Sequence, residues 1–228
     1  MKWVVGSLMM VLAVAAVSAG AAVVPVESTF AAGLDGWTGI NNVKLDWVST
    51  GGPSGDDGYL RFTDLGDGWG TIVAPDKFVG NLLDYNGGIL AFDFKVFTYG
   101  EGVMEHLPIV LTLVTSSGSY KYTVASAADV AALGTTEWEH FEVPMTASAW
   151  GITGGELVWQ MILRNVKGVQ ITVEAAFNST APYDVTGIAG IALTPKDYVK
   201  AEVPEPATLT LLAAGGALAL WRRRGRRA

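Results

Sequence analysis

The chain has 228 residues, half of them hydrophobic and 16% charged, enough for one domain of roughly 150–200 residues with a core of its own. Without a single cysteine it excludes disulfide frameworks, zinc ribbons and thiol nucleophiles. The charge is split: five of the 15 basic residues fall at Arg222, Arg223, Arg224, Arg226 and Arg227, while residues 27–200 hold 9 basic against 20 acidic, a net of −11. An acidic body argues against nucleic acid as a partner, since phosphates demand a basic face. It suits a soluble surface first, and calcium second.

At the N-terminus Lys2 precedes an apolar run over residues 4–17, too short to span a bilayer. Ala19 and Ala21 flank Gly20 in the small-x-small pattern of a cleavage site. Residues 1–21 therefore read as a signal peptide, helical while it lasts and removed by signal peptidase.

From residue 27 to about 195 the periodicity is that of strands. Leu90, Phe92, Phe94 and Val96 alternate with Ala91, Asp93 and Lys95; Trp138, His140 and Glu142 alternate with Glu139, Phe141 and Val143; Leu157, Trp159, Met161 and Leu163 alternate with Val158, Gln160 and Ile162. Such patterning between Gly-rich turns predicts antiparallel sheets with one buried face, about ten strands in all. Residues 126–133 give the one helix-like stretch. Many strands and little helix predict an all-β fold, an antiparallel two-sheet jelly-roll sandwich. Residues 196–203 read as a linker.

The segments Gly52-Pro53-Ser54, Gly58-Tyr59-Leu60, Ala74-Pro75-Asp76-Lys77-Phe78-Val79-Gly80 and Tyr85-Asn86-Gly87-Gly88-Ile89-Leu90 resemble the laminin B (laminin IV type A) domain. The resemblance runs over most of residues 28–194. It implies a jelly roll related in shape to carbohydrate-binding modules, and no catalysis. Domains of that family often close on a strand whose Asp can serve a structural calcium. Residues 186–193 here contain no acid, which weakens that implication.

Four acids on Gly-rich loops, Asp56, Asp57, Asp64 and Asp67, are the candidate calcium ligands, although Asp-Gly pairs are also ordinary turn chemistry. Aromatics near loops are candidates for stacking on sugar rings, with Trp37, Trp69 and Tyr85 singled out; the same rings equally suit the core. No Gly-x-Ser-x-Gly elbow is present, and neither His106 nor His140 sits in a catalytic pattern. No catalytic residue is assigned.

The C-terminus has three parts: Val203, Pro204, Glu205 and Pro206, then an uncharged apolar run over 207–221, then the arginines. The prolines forbid helix before the run and permit it to start there. Fifteen helical residues give roughly 22 Å against a bilayer core of about 30 Å. Snorkelling arginines and Trp221 cover the difference, so a transmembrane helix is expected with its basic end in the cytoplasm. Residues 204–228 resemble the PEP-CTERM sorting signal of bacterial exopolysaccharide-associated proteins. That resemblance implies processing by an exosortase at the inner membrane and display at the cell surface or in the extracellular matrix. A permanent anchor has the same hydropathy.

The sequence thus leads to a non-catalytic exported protein associated with exopolysaccharide or another surface component. A polysaccharide-active enzyme on the same sandwich, or a matrix protein with no specific ligand, are the alternatives.

Overall fold

The computed structural model describes residues 23–66 and 68–199. The expected signal peptide with Ala19 and Ala21, the motif at Val203–Pro206, the 207–221 segment, the terminal arginines and Asp67 all lie outside them. Among the described residues no helix is long and apolar enough to cross a membrane.

Thirteen strands and two short α-helices are found among the described residues. The first sheet is built from β10 (Glu139–Pro144), β6 (Ile89–Thr98), β13 (Val185–Thr194), β4 (Tyr59–Asp64) and β3 (Val43–Val48), in that order. β1 (Val26–Ser28) joins it by pairing with the second half of β13, Val26 opposite Leu193. The second sheet runs β2 (Thr38–Ile40), β5 (Thr71–Val73), β11 (Val166–Thr172), β8 (Ile109–Thr115) and β9 (Gly118–Ala125). β7 (Glu101–His106) and β12 (Ala176–Thr180) form a separate two-stranded ribbon. Every pairing is antiparallel. This is the expected all-β sandwich of jelly-roll type.

The core follows from the period of two. Leu90, Phe92, Phe94 and Val96 of β6 turn inward and are buried, as the alternation predicts. They belong to one cluster with Ile109, Leu111 and Leu113 of β8 and Val169 and Ile171 of β11, so the two sheets share a single interior. The helix-like stretch is α1 (Ala127–Ala132). Ser126 caps it: its hydroxyl accepts from the Asp129 amide, and the Asp129 carboxylate accepts from the Ser126 amide, which is a capping box.

One element departs from the reading of the sequence. Residues 157–163, read as a strand, lie in α2 (Gly155–Leu163). The run is so rich in apolar residues that both periods fit it. Trp159, Ile162 and Leu163 are buried at helical spacing, whereas Leu157 and Met161 stand in solvent. Trp159 fixes the helix by donating its indole N–H to Asn86 Oδ1 at 3.0 Å and to the Met145 carbonyl at 3.2 Å.

Candidate functional site around Trp69

Trp69 stands on the connection between β4 and β5, where the two sheets meet. Asn41 and Asn42, both left-handed at φ 65° and 60°, carry the chain from β2 in the second sheet to β3 in the first. The Asn41 side-chain amide donates to the Trp69 carbonyl at 3.1 Å, and the Thr71 hydroxyl donates to the same carbonyl at 2.9 Å. The next residue, Gly70, donates its N–H to Glu174 Oε2 at 2.6 Å. Gly70 also lies so close to β3 that a Cβ there would sit 2.8 Å from Val43 Cγ2. Three hydrogen bonds and a tight approach thus hold the backbone at 69–70. Trp69 as a residue is 50% exposed. Leu65 on the same connection and Ile40 at the end of β2 are also exposed, at 58% and 39%. The Leu65 amide donates to the Asn42 carbonyl at 3.0 Å, tying that part of the connection to the same turn.

Behind this edge the structure buries three acids, of which the sequence pattern pointed only to Asp64. Asp64, Glu174 and Asp184 line a small cavity of about 10 Å³ together with Val43, Phe62, Gly70, Val173 and Thr186. Asp184 is 2% exposed; its Oδ2 accepts from the Ala175 amide at 2.7 Å, and its Oδ1 has no hydrogen-bond partner. Burial raises the Glu174 carboxyl to about 7, with Asp64 and Asp184 adding repulsion against the opposing bond from Gly70. Burial likewise raises Asp184 to about 7, opposed by the Ala175 amide and reinforced by Asp64. A signal for both was present: Glu174 interrupts an apolar run, and Asp184 directly precedes β13.

The other expected site residues fall as follows. Trp37 is 1% exposed and donates its indole N–H to the buried Ser28 hydroxyl at 2.9 Å. Tyr85 is buried too, its hydroxyl donating to the Val24 carbonyl at 3.0 Å. Both rings are packed into the core, so neither presents a stacking face; only Trp69 of the three does. Asp56 and Asp57 sit in the turn before β4, and Asp64 ends that strand. Seven residues of extended chain place Asp57 and Asp64 roughly 20 Å apart, too far to share one ion. Among the described residues no group of three or more His, Asp or Glu side chains is placed to hold a metal. His140 is exposed, with Nδ1 2.8 Å from Asp93 Oδ1.

A broader hollow of about 370 Å³ lies between residues 146–152 and the start of α2. Its walls are small side chains and Glu156, whose carboxylate already accepts from Asn86 and Gln160.

Comparison with known sequences decides one point. Residues 202–224 match the PEP-CTERM protein-sorting motif. The sorting motif marks the chain for export and sorting to the cell surface. No curated protein matches the chain. Among solved structures it is similar to an exo-beta-agarase, at 8% identity and a TM-score of 0.49 over 72% of this chain and 24% of that one. It thus spans about a quarter of the agarase chain. The CBM22-1 xylan-binding domain from Paenibacillus barcinonensis Xyn10C is similar at 12% identity and a TM-score of 0.44, covering 76% of this chain and 95% of that one. The L4b domain of human laminin alpha-2 is similar at 15% identity and a TM-score of 0.38, covering 55% and 70%.

Proposed function

We propose that the chain is a non-catalytic surface protein that associates with polysaccharide through the edge at Trp69, after export, signal removal and processing of its tail by an exosortase. Sorting rests on the motif at 202–224. Binding rests on one observation: Trp69 is half-exposed on a backbone held by Asn41, Thr71 and Glu174. An indole fixed in this way covers the apolar face of a sugar ring at little cost in chain entropy, while Asn41 and the loop amides meet hydroxyls. Affinity through one such platform is expected in the millimolar-to-micromolar range, on the order of 4–8 kcal/mol.

The non-catalytic reading is supported by where the acids with raised pKa lie. Glu174 and Asp184 have the perturbed titration of catalytic groups, yet they line a cavity with room for about one water and none for a sugar ring. The measurement that checks this is release of reducing ends from purified exopolysaccharide. We expect none, and turnover lost on Glu174→Gln would return the chain to the enzymes.

Trp69→Ala tests the binding edge. Melting should stay near that of the unaltered protein, since a surface change of this kind is worth about 0.5 kcal/mol or less. Binding to exopolysaccharide should fall severalfold. Unchanged binding would move the contact away from Trp69, and background binding by the unaltered protein would leave a matrix protein without a specific ligand. Processing is checked by mass spectrometry of the protein from its own cells. The mature chain should begin beside Ala22 and lack peptides from 209–221; their stoichiometric recovery from the extracellular pool would make the tail an anchor.

A further inference from the structure

The outer face of the first sheet carries a second chemistry. Outward from the first sheet, Tyr59 of β4 and Phe97 of β6 meet Trp138, just before β10, above Gly187 of β13. Tyr59 stacks on Phe97 with centroids 5.5 Å apart, and Trp138 stands edge-on to both at 5.3 and 6.1 Å. A Cβ at position 187 would lie 2.8 Å from Phe97 Cε2 and 3.0 Å from Trp138 Cη2, so glycine makes the floor on which the rings sit. Two cations flank that floor. Arg61 on β4 and Lys95 on β6 are both paired in register with Gly187, two strand spacings or roughly 10 Å apart. Both lie over the Phe97 ring, Arg61 Cζ at 5.8 Å and Lys95 Nζ at 5.2 Å from its centroid.

Three carboxylates of this face are engaged by other groups. Asp46, directly across from Arg61 on β3, is bound by Lys44 at 2.6 Å. Asp93 is bound by His140 at 2.8 Å, and Glu142 lies 3.6 Å from the other nitrogen of that ring. Lys95 donates to the Thr136 carbonyl at 2.5 Å. Among the described residues neither Arg61 nor Lys95 is in an ion pair. In a body of net charge −11, an outward pair of cations without an ion-pair partner among the described residues is a local departure from the acidic surface.

We propose that this face binds an acidic polysaccharide, Arg61 and Lys95 taking the carboxylates of uronic acid residues while Trp138 lies against a sugar ring. A guanidinium matches a carboxylate with two parallel N–H donors, and an ammonium adds a point charge beside it. Two cations are too few for a nucleic acid, whose phosphates need a continuous basic track. The proposal rests on the polysaccharide reading above but uses a different face, so the two separate experimentally.

The test is affinity electrophoresis of the full-length protein in gels containing polygalacturonate, with dextran as the neutral polymer and a single-stranded oligonucleotide as competitor. Polygalacturonate should retard the protein, dextran should not through this face, and high salt should abolish the retardation. The double variant Arg61→Gln, Lys95→Gln should weaken the effect about tenfold, the loss expected when charged hydrogen bonds are removed. Trp69→Ala should leave it intact. Equal mobility of the unaltered protein in both gels, retardation that persists in high salt, or release of polygalacturonate by equimolar oligonucleotide would each overturn the proposal. The terminal arginines also attract the polymer at low salt, so where the double variant folds poorly the single variants Arg61→Gln and Lys95→Gln decide: each should weaken retardation severalfold, and retardation equal to that of the unaltered protein overturns the proposal. Loss on Trp69→Ala with no loss in the double variant would overturn this proposal while sparing the first reading.

Discussion

Trp37→Ala is expected to destabilise the body by about 3–5 kcal/mol, the range for removing a large buried aromatic. Trp37 lies against Phe78 with centroids 5.4 Å apart and is closed off from solvent. Its indole N–H is also the partner of Ser28, a buried hydroxyl on β1. Truncation therefore opens a cavity and removes a buried hydrogen bond in one step. Natural domains hold only about 5–15 kcal/mol in reserve, so the variant should melt far below the unaltered protein or fail to accumulate. Trp37→Phe keeps most of the ring and loses only the N–H, and should cost much less. Thermal melting of both variants beside Trp69→Ala checks the assignment: a Trp37→Ala protein as stable as Trp69→Ala would show that the ring is not in the core.

The second large effect is in pH. Glu174 and Asp184 titrate near 7 in the folded protein but near 4 once unfolded. The folded state then binds protons more tightly than the unfolded one. Stability is full below about pH 4, falls as pH rises toward 7, and levels off above it. For the coupled pair the loss is on the order of 2–5 kcal/mol, or roughly 5–15 °C in melting temperature for a domain of this size. Groups of opposite sense limit the gain at the acid end. Asp129, held below the usual carboxylate range by the Ser126 hydroxyl and amide, and Glu156, held low by Gln160 and Asn86, lose their contribution as pH drops further. The melting temperature should therefore peak near pH 5 and be clearly lower at pH 8. Asp184→Asn keeps an acceptor for the Ala175 amide and removes one charge, so it should melt higher than the unaltered protein at pH 8 and show a shallower slope. A slope identical to that of the unaltered protein would mean the acids titrate normally.

Much of the fold was legible because local and global signals agree. β6 alternates cleanly between a buried and an exposed face, and the residues that cap α1 stand at the spacing a capping box requires. α2 misleads because Leu157 and Met161 are apolar without being buried, which completes a false period of two. The site was less legible. Trp37, Trp69 and Tyr85 all neighbour Gly and Asp, and nothing local distinguishes a ring folded under β1 from one left in solvent. Burial of Trp37 is decided by Ser28 and Phe78, and burial of the acids by the meeting of β4, β13 and the end of β11. These are contacts between distant parts of the chain, which a period cannot encode. Arg61 and Lys95 are alike in this respect: each is an ordinary outward residue until register sets both beside Gly187.

The order of β13 in the chain has a consequence for timing. It is the last strand, yet β6, β4 and β1 all pair with it. A polypeptide that leaves a channel N-terminus first delivers those three strands without their common partner. Until residues 185–194 have emerged, the first sheet has a gap through its middle. Closing it joins segments roughly 90–130 residues apart, and β1 at more than 150, a slow, non-local step. The first sheet is thus completed by the last strand to be made, and none of its three partners has its final neighbour before then.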